Sequence, residues 1–238
     1  MSVFVMSDLH LSTNNTLKSM DVFGARWRDY HKKIETNWKS VVSDNDTVIV
    51  PGDISWGSSL LDSLADLKFL DSLPGKKIIS KGNHDFWWST ISKLNKFFEE
   101  QNITTIKILN NNAIEVEDYI IAGTRGWFSD PASQNTVQPT DYDKILNRES
   151  VRLRLTLTEA KKLQEESGKE ILVFFHFPPI WGDFCNDSTF EILKEFGIKK
   201  CYYGHIHGCY NISEKTEHEG IELRLVSADY LNFIPKLI

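Results

Sequence analysis

The chain has 238 residues, with Lys+Arg 27 against Asp+Glu 33 and a formal net charge of −6; 41% of its residues are hydrophobic and 25% charged. That mixture builds a buried core and excludes a disordered, collagen-like or coiled-coil chain. The acidic balance lacks the broad basic footprint of a protein that grips nucleic acid through its phosphates, so a nucleic-acid polymer is not the expected partner.

Along the chain, short apolar runs alternate with longer amphipathic segments, the pattern of a layered α/β architecture. Val3–Met6 is the first run and reads as a buried strand. It meets Asp8 too soon to be a signal peptide. Trp27, Tyr30, Ile34, Trp38 and Val41 then recur at helical spacing. Thr47–Val50 is the second strand, Leu60, Leu64 and Leu67 the next helical stripe, and Lys77–Ser80 the third strand. Ile91, Leu94 and Phe98 mark another helix, and Ile114–Ala122 alternates as a strand does.

The stretch Gln134–Gly168 is polar at first and then helical through Ile145, Leu146 and Leu163. Its first part, Ser129–Asn147 with Asp130, Asp141 and Asp143, suits either a substrate-covering loop or solvated surface. Ile171–Phe175 is the fourth strand. Ser188 and Glu191 form a capping-box pattern for a helix that Gly197 ends. Cys201–Tyr203 is the fifth strand and Ile221–Ser227 a further one. With no low-complexity linker or internal repeat, residues 1–238 are expected to form one domain. Cys185, Cys201 and Cys209 are an odd set without CxxC spacing, so neither a disulfide framework nor a thiolate zinc site is expected. No stretch approaches the ~20 apolar residues of a membrane helix. A soluble protein of the reducing cytosol, with no membrane partner, is the expectation.

Chemistry concentrates in the residues directly after each strand. After the first comes Asp8-Leu9-His10, after the second Gly52-Asp53, after the third Gly82-Asn83-His84-Asp85. His176 succeeds the fourth strand, and Gly204-His205-Ile206-His207-Gly208 the fifth, so five of the 7 histidines fall in these junctions. Parallel-type sheets gather ligands at the carboxyl ends of their strands, so residues distant in sequence meet at one rim. The resulting donor set holds oxygen and nitrogen but no sulfur, and imidazole favours Mn, Fe, Co, Ni or Zn over Mg or Ca. It has too many members for one ion and enough for two if a carboxylate bridges. A pair of divalent cations would attract phosphate without a Lys or Arg patch and would activate water for phosphoester hydrolysis.

The succession DxH, GD, GNHD, H and GHxH resembles the calcineurin-like metallophosphoesterase superfamily. The stretches IVPGDISWG and GNHDFWW look most like its bacterial predicted phosphohydrolase branch. The resemblance spans Asp8 to His207 and implies an α/β four-layer sandwich of two mixed β-sheets flanked by helices. It also implies two divalent metal ions, manganese first and iron or zinc as alternatives. Asp8, His10 and His207 would bind one ion and Asn83, His176 and His205 the other, with Asp53 bridging. A metal-bridging hydroxide would attack the phosphorus of a small phosphomonoester or phosphodiester, nucleotides among the candidates, and His84 would protonate the leaving group.

Protein Ser/Thr phosphatases of the superfamily carry GDxxDRG, whereas Trp56 stands here where that second Asp would be. This argues against a protein phosphatase and leaves the partner of His84 open; Asp85 is the candidate in sequence. Arg125, in the Gly-flanked segment Ala122–Trp127, is either a clamp on the phosphate or a surface Arg paired with a carboxylate. Most tryptophans are expected to pack, with one or two walling the cleft. His31 and His218 read as solvated. The alternative function is a catalytically silent binding scaffold on the same fold. Scaffolds show gaps in the ligand set, and this chain retains every member together with His84.

Overall fold

The computed structural model describes residues 1–14, 19–127 and 139–238, and the side chains of 139–142 fall outside that description. Two sheets form its centre. In the first half of the chain, β1 (Val3–Val5), β2 (Thr47–Pro51), β3 (Lys76–Ser80) and β4 (Ile106–Ile108) pair in parallel, and β13 (Lys236–Leu237) adds antiparallel to β1. In the second half, β6 (Tyr119–Thr124), β7 (Glu170–Phe175), β10 (Lys200–Tyr203) and β12 (Ile221–Leu225) run parallel. Antiparallel edges β5 (Ile114–Val116) and β11 (Lys215–His218) complete that sheet. A separate hairpin pairs β8 (Ile180–Trp181) with β9 (Phe184–Cys185).

The strands are continuous apolar runs because both faces of each sheet are covered. Alternation assigns the faces. Val3, Val5, Ile49, Ile78, Ile121, Leu172, Phe174 and Tyr202 pack between the sheets, where Phe174 and Tyr202 stack at 4.9 Å. Their neighbours Phe4, Met6, Val48 and Val50 face outward onto α1 (Tyr30–Val41), α2 (Leu64–Ser72) and α3 (Ile91–Glu100). Ile120, Ala122, Val173 and Phe175 face α4 (Pro139–Ser167) and α5 (Asp187–Glu195). Helix, sheet, sheet and helix therefore form four layers, the α/β sandwich of two mixed sheets expected from sequence.

At the strand ends the sheets join. Ser7 N donates to Val226 O (2.8 Å) and Ala228 N to Ser7 O (2.9 Å), a parallel bridge between the extensions of β1 and β12. This seam brings Asp8 against the loops after β10 and β12.

Three sequence readings need correction. The capping box at Ser188 is not the start of α5: Asn186 caps it, its side chain accepting from Thr189 N, and Ser188 lies inside the first turn. An Asn two residues upstream offers the same cap acceptor and sets the helix start earlier. Gly197 does follow the helix, at φ 67°. Ile114–Ala122 is two strands, split by a turn at Glu117 in the left-handed region. His31 is not solvated, since Nε2 accepts from Ser12 N (3.0 Å) and the ring lies 3.9 Å from that of Tyr30. Of Ser129–Asn147, Asp130 and the side chain of Asp141 lie outside the described residues, and Asp143 is exposed on α4. Among the described residues, no helix is long and apolar enough to cross a membrane.

Candidate metal centre

The loops after β1, β2, β3, β7 and β10 converge on one rim. Asp8, His10 and His207 place donor atoms within 4.8 Å of one another, and so do Asp53, His176 and His205. Within the first group, His10 Nε2 lies 3.1 Å from His207 Nε2, and Asp8 Oδ1 is 3.6 Å from the latter. Two donors each ~2.1 Å from one ion and at right angles to it are ~3 Å apart. In the second group Asn83 Oδ1 stands 2.6 Å from His176 Nε2 and 3.0 Å from His205 Nδ1. Asp53 Oδ2, of the second group, also approaches the first: it is 3.6 Å from His10 Nε2 and 3.4 Å from His176 Nε2. The structure thus brings together all seven residues that the sequence singled out as ligands.

The local backbone is bent to make this happen. Asp8, His10, Asp53 and His205 have φ of 60°, 46°, 51° and 69°. Left-handed conformations cost non-glycine residues free energy and gather where function over-determines them. Gly82 is required by close approach, because a Cβ there would stand on the backbone nitrogen and Oδ1 of Asp53. Gly52, at φ 92°, would drive a Cβ into His176 Nδ1 and Gly82 Cα, each at 2.7 Å. From the α1 side, Tyr30 donates its hydroxyl to His10 O (2.6 Å) and fixes that loop.

The donor set is electrostatically incomplete by itself. Burial, with Asp8 and Asp85 nearby, pushes the Asp53 carboxyl well above its usual range, and burial raises Asp8 to about 6. Burial likewise drives His10 and His176 well below the ordinary imidazole value, leaving neutral rings. Asp53 Oδ2 and His10 Nδ1 are buried and find no hydrogen-bond partner among the described residues. Crowded carboxylates and neutral imidazoles with their lone pairs converging are what divalent cations satisfy. The residues fit two such ions.

Two further residues hold the ligands, and sequence reasoning missed both. Asp229 Oδ1 accepts from His207 Nδ1 (2.8 Å), and Oδ2 accepts from Gly208 N and Tyr210 Oη (both 3.0 Å). This pairing turns Nε2 of His207 toward the first group. Ser227 Oγ donates to Asp8 Oδ2 (3.1 Å). Asp229 follows a strand as the other site residues do, so the rule that found them would have found it after β12.

Asp85 needs reassignment from the catalytic part expected for it. Its carboxylate accepts from the backbone N–H groups of Gly82 (2.8 Å), Asp53 (2.9 Å), Ile54 (2.9 Å) and Ser55 (3.2 Å), and from Trp87 Nε1 (3.0 Å). It staples the β2 and β3 loops together. His84 Nδ1 is buried with no hydrogen-bond partner among the described residues, so Asp85 does not orient that ring. Trp56 stands there instead, 4.2 Å from the His84 ring and stacked on His10 at 5.1 Å. Where an Asp would have bonded a histidine, an indole packs two of them.

Arg125 lies 3.9 Å from Glu149 Oε1, with its guanidinium 5.4 Å from the Trp127 ring and 5.8 Å from that of Phe177. It stands at ion-pair distance from a carboxylate, but with its side chain 18% exposed it is not the surface Arg of that reading, and it lines a cavity.

Comparison with known proteins agrees with this geometry. The family model for calcineurin-like phosphoesterases matches residues 1–209. Comparison with curated proteins finds no match. Among solved structures, the chain is similar in fold to the phosphopantetheinyl hydrolase of Mycobacterium tuberculosis, at 13% identity and TM-score 0.57 over 100% of this chain and 95% of that one. It is similar also to TT1561 of Thermus thermophilus, at 9% identity and TM-score 0.55 over 96% and 89% of the two chains. With five ligand-bearing loops on one rim and a family match that spans all five, the chain belongs to the calcineurin-like phosphoesterase family.

Proposed function

We propose that this metal-dependent phosphoesterase hydrolyses small phosphomonoesters or phosphodiesters, nucleotides included, with two divalent cations, manganese ahead of iron or zinc. One observation carries the reading: two donor groups face each other across the unsatisfied Oδ2 of Asp53. Asp8, His10 and His207 would hold one cation, Asn83, His176 and His205 the other, and Asp53 both. Such ions supply a water ionised near neutral pH and positive charge for the phosphoryl oxygens.

The chain's own side chains supply orientation and a proton. Pro51 O, 3.2 Å from His176 Nδ1, and Asp229, at His207 Nδ1, fix the tautomers that free each Nε2. His84 is tied to Asp53 through its backbone N–H (2.8 Å to Oδ1), so its ring is held beside the centre. Burial lowers its pKa to about 4, leaving it neutral in the resting protein. A phosphate entering beside it brings negative charge that raises its proton affinity, which lets it protonate a leaving oxygen. The expected compartment is the cytosol.

The test uses manganese-supplemented protein with p-nitrophenyl phosphate and bis(p-nitrophenyl) phosphate. Wild-type turnover that disappears in Asp53→Ala, with the circular dichroism unchanged, supports the reading. Turnover that persists in Asp53→Ala, or none in wild type on either ester, contradicts it.

A further inference from the structure

Beside the metal centre a cavity of about 420 Å³ opens where β3, β4 and β6 end. Four cationic side chains line it: Lys81, Arg125, and Arg148 and Arg152 from α4. Among the described residues a single carboxylate, Glu149, answers three of them, with Oε1 2.6 Å from Arg152, 3.9 Å from Arg125 and 4.0 Å from Arg148. Its Oε2 already accepts from Thr124 Oγ1 (2.7 Å). Lys81 has no carboxylate within ion-pair distance among the described residues.

This is an unfavourable arrangement unless something occupies it. Like charges four apart on one helix, as at Arg148 and Arg152, weaken the helix. The N-terminus of α3 borders the same cavity through Thr90, whose side chain makes no cap bond, and the first turn of α3 contains no acidic residue. Its exposed N–H groups add positive potential. In a chain of net charge −6, so local an excess of positive charge points to an anion. Among the described residues, four cations against one carboxylate match a phosphate dianion better than a carboxylate.

Two residues that line the cavity connect it to the centre. Lys81 precedes Asn83 by two residues, and Arg125 O accepts from His176 N (3.2 Å) and Phe177 N (2.8 Å). We propose that the cavity is a subsite for a second phosphate group on the part of the substrate that is not cleaved, so that the natural substrate is an ester bearing two phosphates. Arg125 then belongs to this subsite rather than to the scissile group, and Trp88 forms a wall against the moiety between the two. The inference rests on the phosphoesterase reading above, and its test separates the two.

EDTA-treated protein is titrated calorimetrically with adenosine 3′,5′-bisphosphate at two salt concentrations. Arg148→Ala and Arg152→Gln are titrated in parallel; Arg148 is half exposed and its replacement leaves the core intact. Wild type binds without metal, more weakly at high salt, and each variant binds about tenfold or more weakly, the loss of one charge-assisted contact. With manganese, the kcat/KM ratio for the bisphosphate over adenosine 5′-monophosphate falls at least tenfold in Arg148→Ala. No binding by EDTA-treated wild type, or equal affinity in wild type and both variants, overturns the subsite. Metal-free binding that the variants weaken, with neither ester hydrolysed by loaded wild type, upholds the subsite and sinks the hydrolase reading.

Discussion

At the scale of single residues, Asp229 illustrates how a side chain outside the donor groups positions one of their members. By accepting from His207 Nδ1 it aims Nε2, and its charge shapes the titration of that ring. Burial pushes His207 down, but the Asp229 hydrogen bond and the charges of Asp8 and Asp229 outweigh it, and the pKa ends above the ordinary 6.5. Asp229→Asn is expected to weaken manganese binding by about 10- to 100-fold, measured by calorimetry. The same groups set the pH dependence. A ligand must shed its proton to bind, and Asp8, near 6, and His207, above 6.5, both take up protons as pH falls. Manganese affinity is therefore expected to drop below about pH 6.5, with protons released on binding there; a flat profile from pH 7.5 to 5.5 would contradict this. His84→Gln should keep both metals and lose rate, by about 10²–10⁴-fold for esters with poor leaving groups. Lost metal content in that variant would make His84 a ligand. The seven ligand candidates were legible in sequence because each lies next to a strand end. Asp229 obeys the same rule, but the residues after β12 carry none of the motifs DxH, GD, GNHD, H or GHxH that mark the other five junctions. Asp85 was misread because adjacency to His84 says nothing about which backbone amides its carboxylate meets.

Among the elements, the β2 and β3 loops act as one unit. Asp85 accepts four backbone N–H groups from them and the Trp87 indole N–H, and Gly82 lets Asp53 approach. Asp85→Asn replaces an acceptor by an amide whose N–H₂ opposes those donors. A destabilisation of about 2–3 kcal/mol in urea melts is expected, together with weaker metal binding. If Asp85 instead tuned His84 directly, stability would hold and only the pH–rate profile would shift. Strands and helices with a buried stripe were legible because burial on both sheet faces writes apolar runs, and packing on one face writes a 3.6 period. Shorter pieces were not. The strands Ile106–Ile108 and Lys236–Leu237 and the β8–β9 hairpin span two or three residues each. Their pairing comes from neighbours distant in sequence, which no local pattern records.

For the whole molecule, the sandwich turns remote sequence into one rim, and its net charge conceals how charge is distributed. A formal −6 argues against a Lys or Arg patch for phosphate and leaves Arg125 as the one candidate clamp, yet Lys81, Arg125, Arg148 and Arg152 line one cavity. Composition sums over the surface and loses that placement. The same rim stores unfavourable electrostatics in the metal-free protein, where Asp8 and Asp53 lie buried without cations. Metals that bind the native state alone shift unfolding by mass action, by about 2.7 kcal/mol at 100 times Kd for one site. Anomalous scattering from a crystal soaked in manganese tests the central claim most directly. Two peaks are predicted, one among Asp8, His10 and His207 and one among Asn83, His176 and His205, with Asp53 Oδ2 between them. No peak at this rim, or a single one that leaves either triad empty, would contradict the paired-cation account.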